Sequence, residues 1–123
     1  MALLFLASCQ SSDEKLTFSG GTENWQVVYE VAKEKPETTS KVKIKYIGDK
    51  PIPKQIAYRI DAPSGSAVDI GSLNKEGELT IREDDCLGCQ EMNEGTEINV
   101  AIEWGRQIEM FTLHFDEQSG NHK

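Results

Sequence analysis

The run "TEINVAIEWGRQIEMFTLHF", residues 96–115, constrains the fold more than any other stretch of the chain. A two-residue turn at Gly105-Arg106 pairs Trp104 with Gln107 and carries one register down both arms. Val100 then faces Phe111 and Ile98 faces Leu113, while on the other side Asn99 faces Thr112 and Glu97 faces His114. Apolar meets apolar and polar meets polar, and a one-residue slip would undo every match. The run therefore predicts a β-hairpin. Glu109 is its misfit, because it lands opposite Ile102 on the apolar face. The expectation is a rim carboxylate at the open end of the domain, satisfied near Arg106 and the turn.

The same period of two recurs upstream. In "NWQVVYEVA" Trp25, Val27, Tyr29 and Val31 share a face, with Gln26 and Glu30 on the other. In "KVKIKYI" Val42, Ile44 and Tyr46 alternate with Lys41, Lys43 and Lys45, and such a Lys row predicts a strand at or near a sheet edge. "QIAYRID" turns Ile56, Tyr58 and Ile60 inward. "GDKPIPK" carries two prolines, which lack ladder donors, and reads as a loop. Shorter strands are expected over 67–70 and 78–82, the latter with Leu79 and Ile81 inward, and a brief one over 16–18. Gly20-Gly21 reads as a turn. Trp25 and Trp104 fall on apolar periodic faces, which favours core packing or rim shielding over a sugar-binding platform.

Short strands parted by Gly/Pro turns, without a sustained helical period, predict an all-β protein. The expected fold is a single immunoglobulin-like β-sandwich of about seven short antiparallel strands. The Cys…Trp…Cys spacing of antibody domains is absent, so that label is architectural.

The chain opens "MALLFLASCQSSDEK". The apolar stretch 2–7 is far shorter than the 20 or so residues a membrane helix needs. It has the character of a signal's apolar core, with small residues at Ala7 and Ser8. A short N-terminal strand with a chance cysteine is the competing explanation. Leu6-Ala7-Ser8-Cys9 resembles a bacterial lipobox, and the resemblance implies cleavage before Cys9 and a diacylglyceryl group on its thiol. At about 0.8 kcal/mol per buried methylene, two acyl chains anchor a protein durably. Only Met1 precedes the apolar run, so a true start upstream of the recorded one is expected. The expected boundaries are a partial lipoprotein signal over 1–8, lipidated Cys9 and a flexible tether over 9–15, the sandwich over 16–115, and a flexible tail over 116–123.

Charge narrows the partners. The net charge is -8, with nine Lys/Arg against eight Asp/Glu in residues 1–61 and four against thirteen in 62–123. Such a balance argues against nucleic acid and against electrostatic adhesion to anionic lipid, both of which need concentrated positive charge. Attachment to a membrane is expected through the lipid at Cys9.

"EDDCLGCQEMNE" is the local constellation with chemical potential. Cys86 and Cys89 form a structural disulfide in the first of three readings, since lipidation of Cys9 leaves them as an even pair in an oxidising compartment. So small a ring contributes about 2 kcal/mol on the chain-entropy account, enough to pin a loop tip. A redox-active pair is the second, but Glu83, Asp84, Asp85, Glu91 and Glu94 would raise a thiol pKa, and no cation sits in the loop. The third is a metal site. Zinc needs two more ligands, with His114 and His122 as the available histidines, and Asp84, Asp85 and Glu91 are the candidates for a calcium site. Their order does not follow an EF-hand loop, and no nucleophilic triad, phosphate-binding Gly loop or zinc-protease helix occurs. No cofactor is expected.

"GGTENWQVVYEV", "IKYIGDKP", "IAYRI" and "EINVAIEWGRQIEMFTL" resemble small β-sandwich lipoproteins of Gram-positive bacteria, a group of unknown function. The resemblance covers most of the chain after Cys9 and implies no catalytic residue. The expected role is non-enzymatic binding or accessory work at the cell envelope, facing outside the cytoplasm, with an envelope protein or ligand as partner. The alternative is thiol-redox or metal handling through Cys86 and Cys89.

Overall fold

The computed structural model describes residues 14–33, 38–63, 65–84 and 86–117. The expected signal segment, Cys9, Asp85 and His122 lie outside them. The described chain forms eight strands: β1 Glu14–Gly21, β2 Trp25–Lys33, β3 Thr38–Tyr46, β4 Gln55–Ala62, β5 Gly65–Ser72, β6 Glu78–Glu83, β7 Ile98–Trp104 and β8 Gln107–Phe115. A short 3-10 turn, Leu87–Glu91, lies between β6 and β7.

The strand order is β5-β4-β7-β8-β1-β2-β3-β6, and every pairing is antiparallel. Two four-stranded layers, β6-β3-β2-β1 and β5-β4-β7-β8, make the sandwich. They stay joined on one side by a short ladder, Phe18↔Phe115 and Ser19↔His114. On the other side β5 and β6 approach closely: a Cβ built on Gly71 would lie 2.5 Å from Leu79 Cδ2. The sandwich is thus nearly closed into a barrel. Gly20 serves the joined side, since a Cβ there would lie 2.6 Å from the Thr112 carbonyl oxygen.

The alternating faces behave as their patterns demand. Trp25, Val27, Tyr29, Val31, Val42, Ile44, Tyr46, Ile56, Tyr58 and Ile60 are all buried between the layers. Trp25 packs edge-to-face on Tyr46 and on Trp104, with ring centroids 5.1 and 5.2 Å apart. The β7–β8 register places Val100 opposite Phe111, Ile98 opposite Leu113 and Trp104 opposite Gln107, as the sequence requires. Gly105 takes the positive φ of 59° that this tight turn asks for.

Three expectations change in detail, at β1, at the β1–β2 turn and at the C-terminal end. There are eight strands, because β1 is a full eight-residue strand rather than a brief one over 16–18. It begins at Glu14, inside the stretch expected as tether. Gly20 and Gly21 close β1, and the turn itself is Thr22 to Asn24, with Thr22 N–H donating to the Trp25 carbonyl at 2.9 Å. The strand with the Lys row, β3, lies near an edge as expected, second from it with β6 outside. Glu30 and Glu78 approach that row, Lys41 to Glu30 at 3.8 Å and Lys43 and Lys45 to Glu78 at 3.5 and 3.8 Å. At the C-terminal end, Asp116 N–H donates to the Thr17 carbonyl at 2.8 Å, so β8's hold on β1 extends one residue into the expected tail.

Candidate functional site

Three places on the domain gather side chains with chemical or binding capacity. The first is the segment around Cys86 and Cys89, which are disulfide-bonded with their Cα atoms 5.4 Å apart. The pair is not at a loop tip. Both cysteines and Met92 are buried and belong to the hydrophobic core, where they plug one end of the sandwich. Cys86 N–H donates to the Thr38 carbonyl at 2.8 Å and Lys33 Nζ to the Met92 carbonyl at 2.7 Å, tying the segment to β2 and β3. Sequence alone suggested a solvated tip because acidic residues surround the pair. The sulfurs face inward and the carboxylates of Glu83, Asp84, Glu91 and Glu94 face solvent. No three His, Cys, Asp or Glu side chains among the described residues converge as metal ligands.

The same end carries an open cleft of about 600 Å³ lined by Ser19, Glu94, Glu97, His114, Asp116 and Glu117, with His114 Nδ1 3.6 Å from Glu97 Oε2. It is a shallow acidic surface, exposed at Glu97 and His114 alike.

The second place is the carboxylate of Glu109. Its partners are not near Arg106, as expected, but in the β1–β2 turn. Thr22 Oγ1 donates to Oε1 at 2.6 Å and Asn24 Nδ2 donates to Oε2 at 2.8 Å. Thr22 Oγ1 in turn accepts from the backbone N–H groups of Asn24 and Trp25 at 3.0 and 3.1 Å. These bonds close the turn against β8, so the network is a clamp between the layers. The partners were hidden in the sequence because they lie more than eighty residues away from Glu109.

The third place is the outward face of β5-β4-β7-β8. Register sets its residues in rows across the four strands. One row is Ile70, Ala57, Glu103, Ile108; the next is Val68, Arg59, Ala101, Met110; the third is Ser66, Asp61, Asn99, Thr112. Val68, Ile70, Ile108 and Met110 are 67, 62, 59 and 75% exposed, which makes them the four most exposed large apolar side chains among the described residues. The opposite outer face carries the Lys row and its glutamates instead. A groove of about 410 Å³ crosses the apolar face, lined by Arg59, Asp61, Asn99, Ala101, Met110 and Thr112. At its edge Arg59 Nε donates to Asp61 at 3.1 Å, and Ser66 Oγ donates to the same carboxylate. Those hydrogen bonds, Ser66's first, hold the Asp61 carboxyl below the usual carboxylate range.

Sequence reasoning did not single out this face. Its signal was present in "QIEMF", where Ile108 and Met110 alternate with the inward residues and leave β8 apolar on both sides. An outward apolar residue is ordinary singly, but four on one face are not.

Scans against protein-family models, curated proteins and solved structures give no significant match to this chain.

Proposed function

We propose that this chain is a membrane-anchored lipoprotein, displayed outside the cytoplasm, whose β-sandwich does non-enzymatic binding work at the cell envelope. The observation that carries the binding role is the exposed apolar face formed by Val68, Ile70, Ile108 and Met110. Val68 and Ile70 on β5 and Ile108 and Met110 on β8 form two exposed apolar pairs that flank Arg59 and Glu103, and exposed apolar patches set among polar residues mark interaction sites. The address rests on Leu6-Ala7-Ser8-Cys9 and on the likeness to small Gram-positive lipoproteins. The Cys86–Cys89 disulfide supports it, because such bonds persist in oxidising compartments.

The anchor is close to the fold. β1 begins five residues after Cys9, a reach of at most about 18 Å. The sandwich end that holds the disulfide is therefore the end next to the membrane. Burial of both sulfurs gives no support to the thiol-redox alternative, since exchange needs an accessible thiolate.

The test is mass spectrometry of the protein recovered from membranes of an expressing bacterium. The expected N-terminal peptide begins at Cys9 with a diacylglyceryl group, and Cys9→Ala leaves the membrane fraction. A peptide running through Cys9 with a free thiol would contradict the assignment.

A further inference from the structure

We propose that the outward face of β5-β4-β7-β8 docks a second copy of this chain, forming a two-fold dimer. The inference rests on the binding role above and names the partner.

The argument begins with the central block of the face. Ala57 and Ala101 occupy one diagonal of a two-by-two block on β4 and β7, and Arg59 and Glu103 occupy the other. A dimer that joins like faces needs its two-fold axis in the plane of the interface, so each residue meets whatever lies at its mirror position across that axis. With the axis along the alanine diagonal, the two smallest side chains sit where the copies come closest. Arg59 then lies over Glu103 of the second copy, and Glu103 over Arg59 of the second copy, so one contact type is satisfied twice.

The rest of the face follows from ladder geometry. Strands about 4.8 Å apart, with same-face residues about 6.8 Å apart along each strand, fix the mirror positions. Val68 falls over Ile108 of the second copy, and Ile108 over its Val68. Met110, the most exposed of the four, falls among Arg59, Asp61, Asn99, Ala101 and Thr112 of the second copy, which is the 410 Å³ groove. A protruding methionine and a groove thus occur on one surface in self-complementary positions. Asp61 engages the Arg59 Nε, which leaves the Nη donors for the carboxylate of the other copy.

Size and anchoring set the character of the dimer. Two four-stranded faces crossed at about 70°, twice the tilt of the axis, overlap over roughly 400 Å², below the ~800 Å² per partner of a standard interface and in keeping with a concentration-dependent dimer. The axis runs more along the strands than across them, at roughly 35°. Rotation about it keeps both disulfide ends on the same side of the dimer, as two lipid anchors in one membrane require.

The experiment measures the mass of the full chain carrying Cys9→Ser, from micromolar to millimolar concentration, by sedimentation. The wild-type face gives a dimer. Arg59→Glu and Glu103→Arg, both at exposed positions, each place like charges opposite one another and weaken association about 100-fold. Mixing the two variants restores a one-to-one dimer, because both of these positions are then acidic in one chain and basic in the other, and every facing pair is of opposite charge. Met110→Lys also gives a monomer, and it melts like wild type diluted below its dimerisation range. A wild-type chain that stays monomeric at millimolar concentration overturns the proposal. So does a dimer indifferent to these substitutions, or a pair of variants that fail to associate on mixing. A monomer that still enters the membrane through Cys9 would sink this inference alone and leave the lipoprotein assignment standing.

Discussion

Glu109 shows how much one side chain can hold when its partners come from the far end of the chain. Its carboxylate accepts from Thr22 and Asn24, and Thr22 fixes the backbone of the turn that launches β2. Hydrogen bonds to a charged group contribute about 1.5–3 kcal/mol. Glu109→Ala is therefore expected to lower unfolding free energy in urea by about 2 kcal/mol, while Glu103→Ala on the outward face, measured at a concentration where both chains are monomeric, stays within about 0.5 kcal/mol of wild type. Equal effects at the two positions would remove the clamp from the account. The sequence marked Glu109 as the misfit of its hairpin but not what satisfied it, since the joining of β1 to β8 is a property of the closed fold. A second residue gives a pH dependence. Burial pushes the Tyr58 phenol up, and the Asp69 carboxylate across the β4–β5 ladder adds to the push. The folded state keeps that proton to higher pH than the unfolded chain, whose tyrosine titrates near 10. Stability from this residue is complete below pH 10 and is lost as pH rises through the folded value. Melting temperature measured from pH 8 to 11 should fall more steeply for wild type than for Tyr58→Phe, and parallel curves would contradict the assignment.

Among the elements, the buried disulfide segment and the β1–β8 ladder invite the clearest tests. Reducing Cys86–Cys89 opens a ring of four residues and should cost about 2 kcal/mol, seen as a lower urea midpoint with the sandwich otherwise intact. Gly20→Ala should cost more than a strand glycine ordinarily would, because its Cβ would press on the Thr112 carbonyl where the two layers join by only two residue pairs. A gain in stability at Gly20→Ala, the usual result where strand glycines have room, would contradict that close approach. The strands themselves were legible, since burial on one face leaves a period of two. Thus β2, β3, β4 and the β7–β8 hairpin could be placed with their inward residues named. Less legible was anything set by neighbours distant in sequence: that β6 would cover β3, that β1 would run from Glu14, and that an acidic loop would turn its cysteines into the core. The outward apolar face was overlooked because inward alternation explains β8 completely unless Ile108 and Met110 are asked about in turn.

At the scale of the whole molecule, the sandwich has one outer face built on a Lys row and one that pairs a polar centre with exposed apolar residues on β5 and β8, with the chain entering at the disulfide end. Lys41, Lys43 and Lys45 with their glutamates keep the first face solvated, and Val68, Ile70, Ile108 and Met110 leave apolar side chains exposed on the second, the surface proposed to bind a partner. The proposed lipid anchor at Cys9 would lie five residues from β1, and on that reading two copies meet at high effective concentration even if their affinity in solution is modest. The central claim, that the apolar face is the working surface of an anchored domain, is tested most directly in cells by a photocrosslinking amino acid placed at Met110 or, for comparison, at Lys43. The account predicts a discrete product of twice the chain's mass from Met110 and none from Lys43. Crosslinks from Lys43 with none from Met110, or none from either, would contradict it.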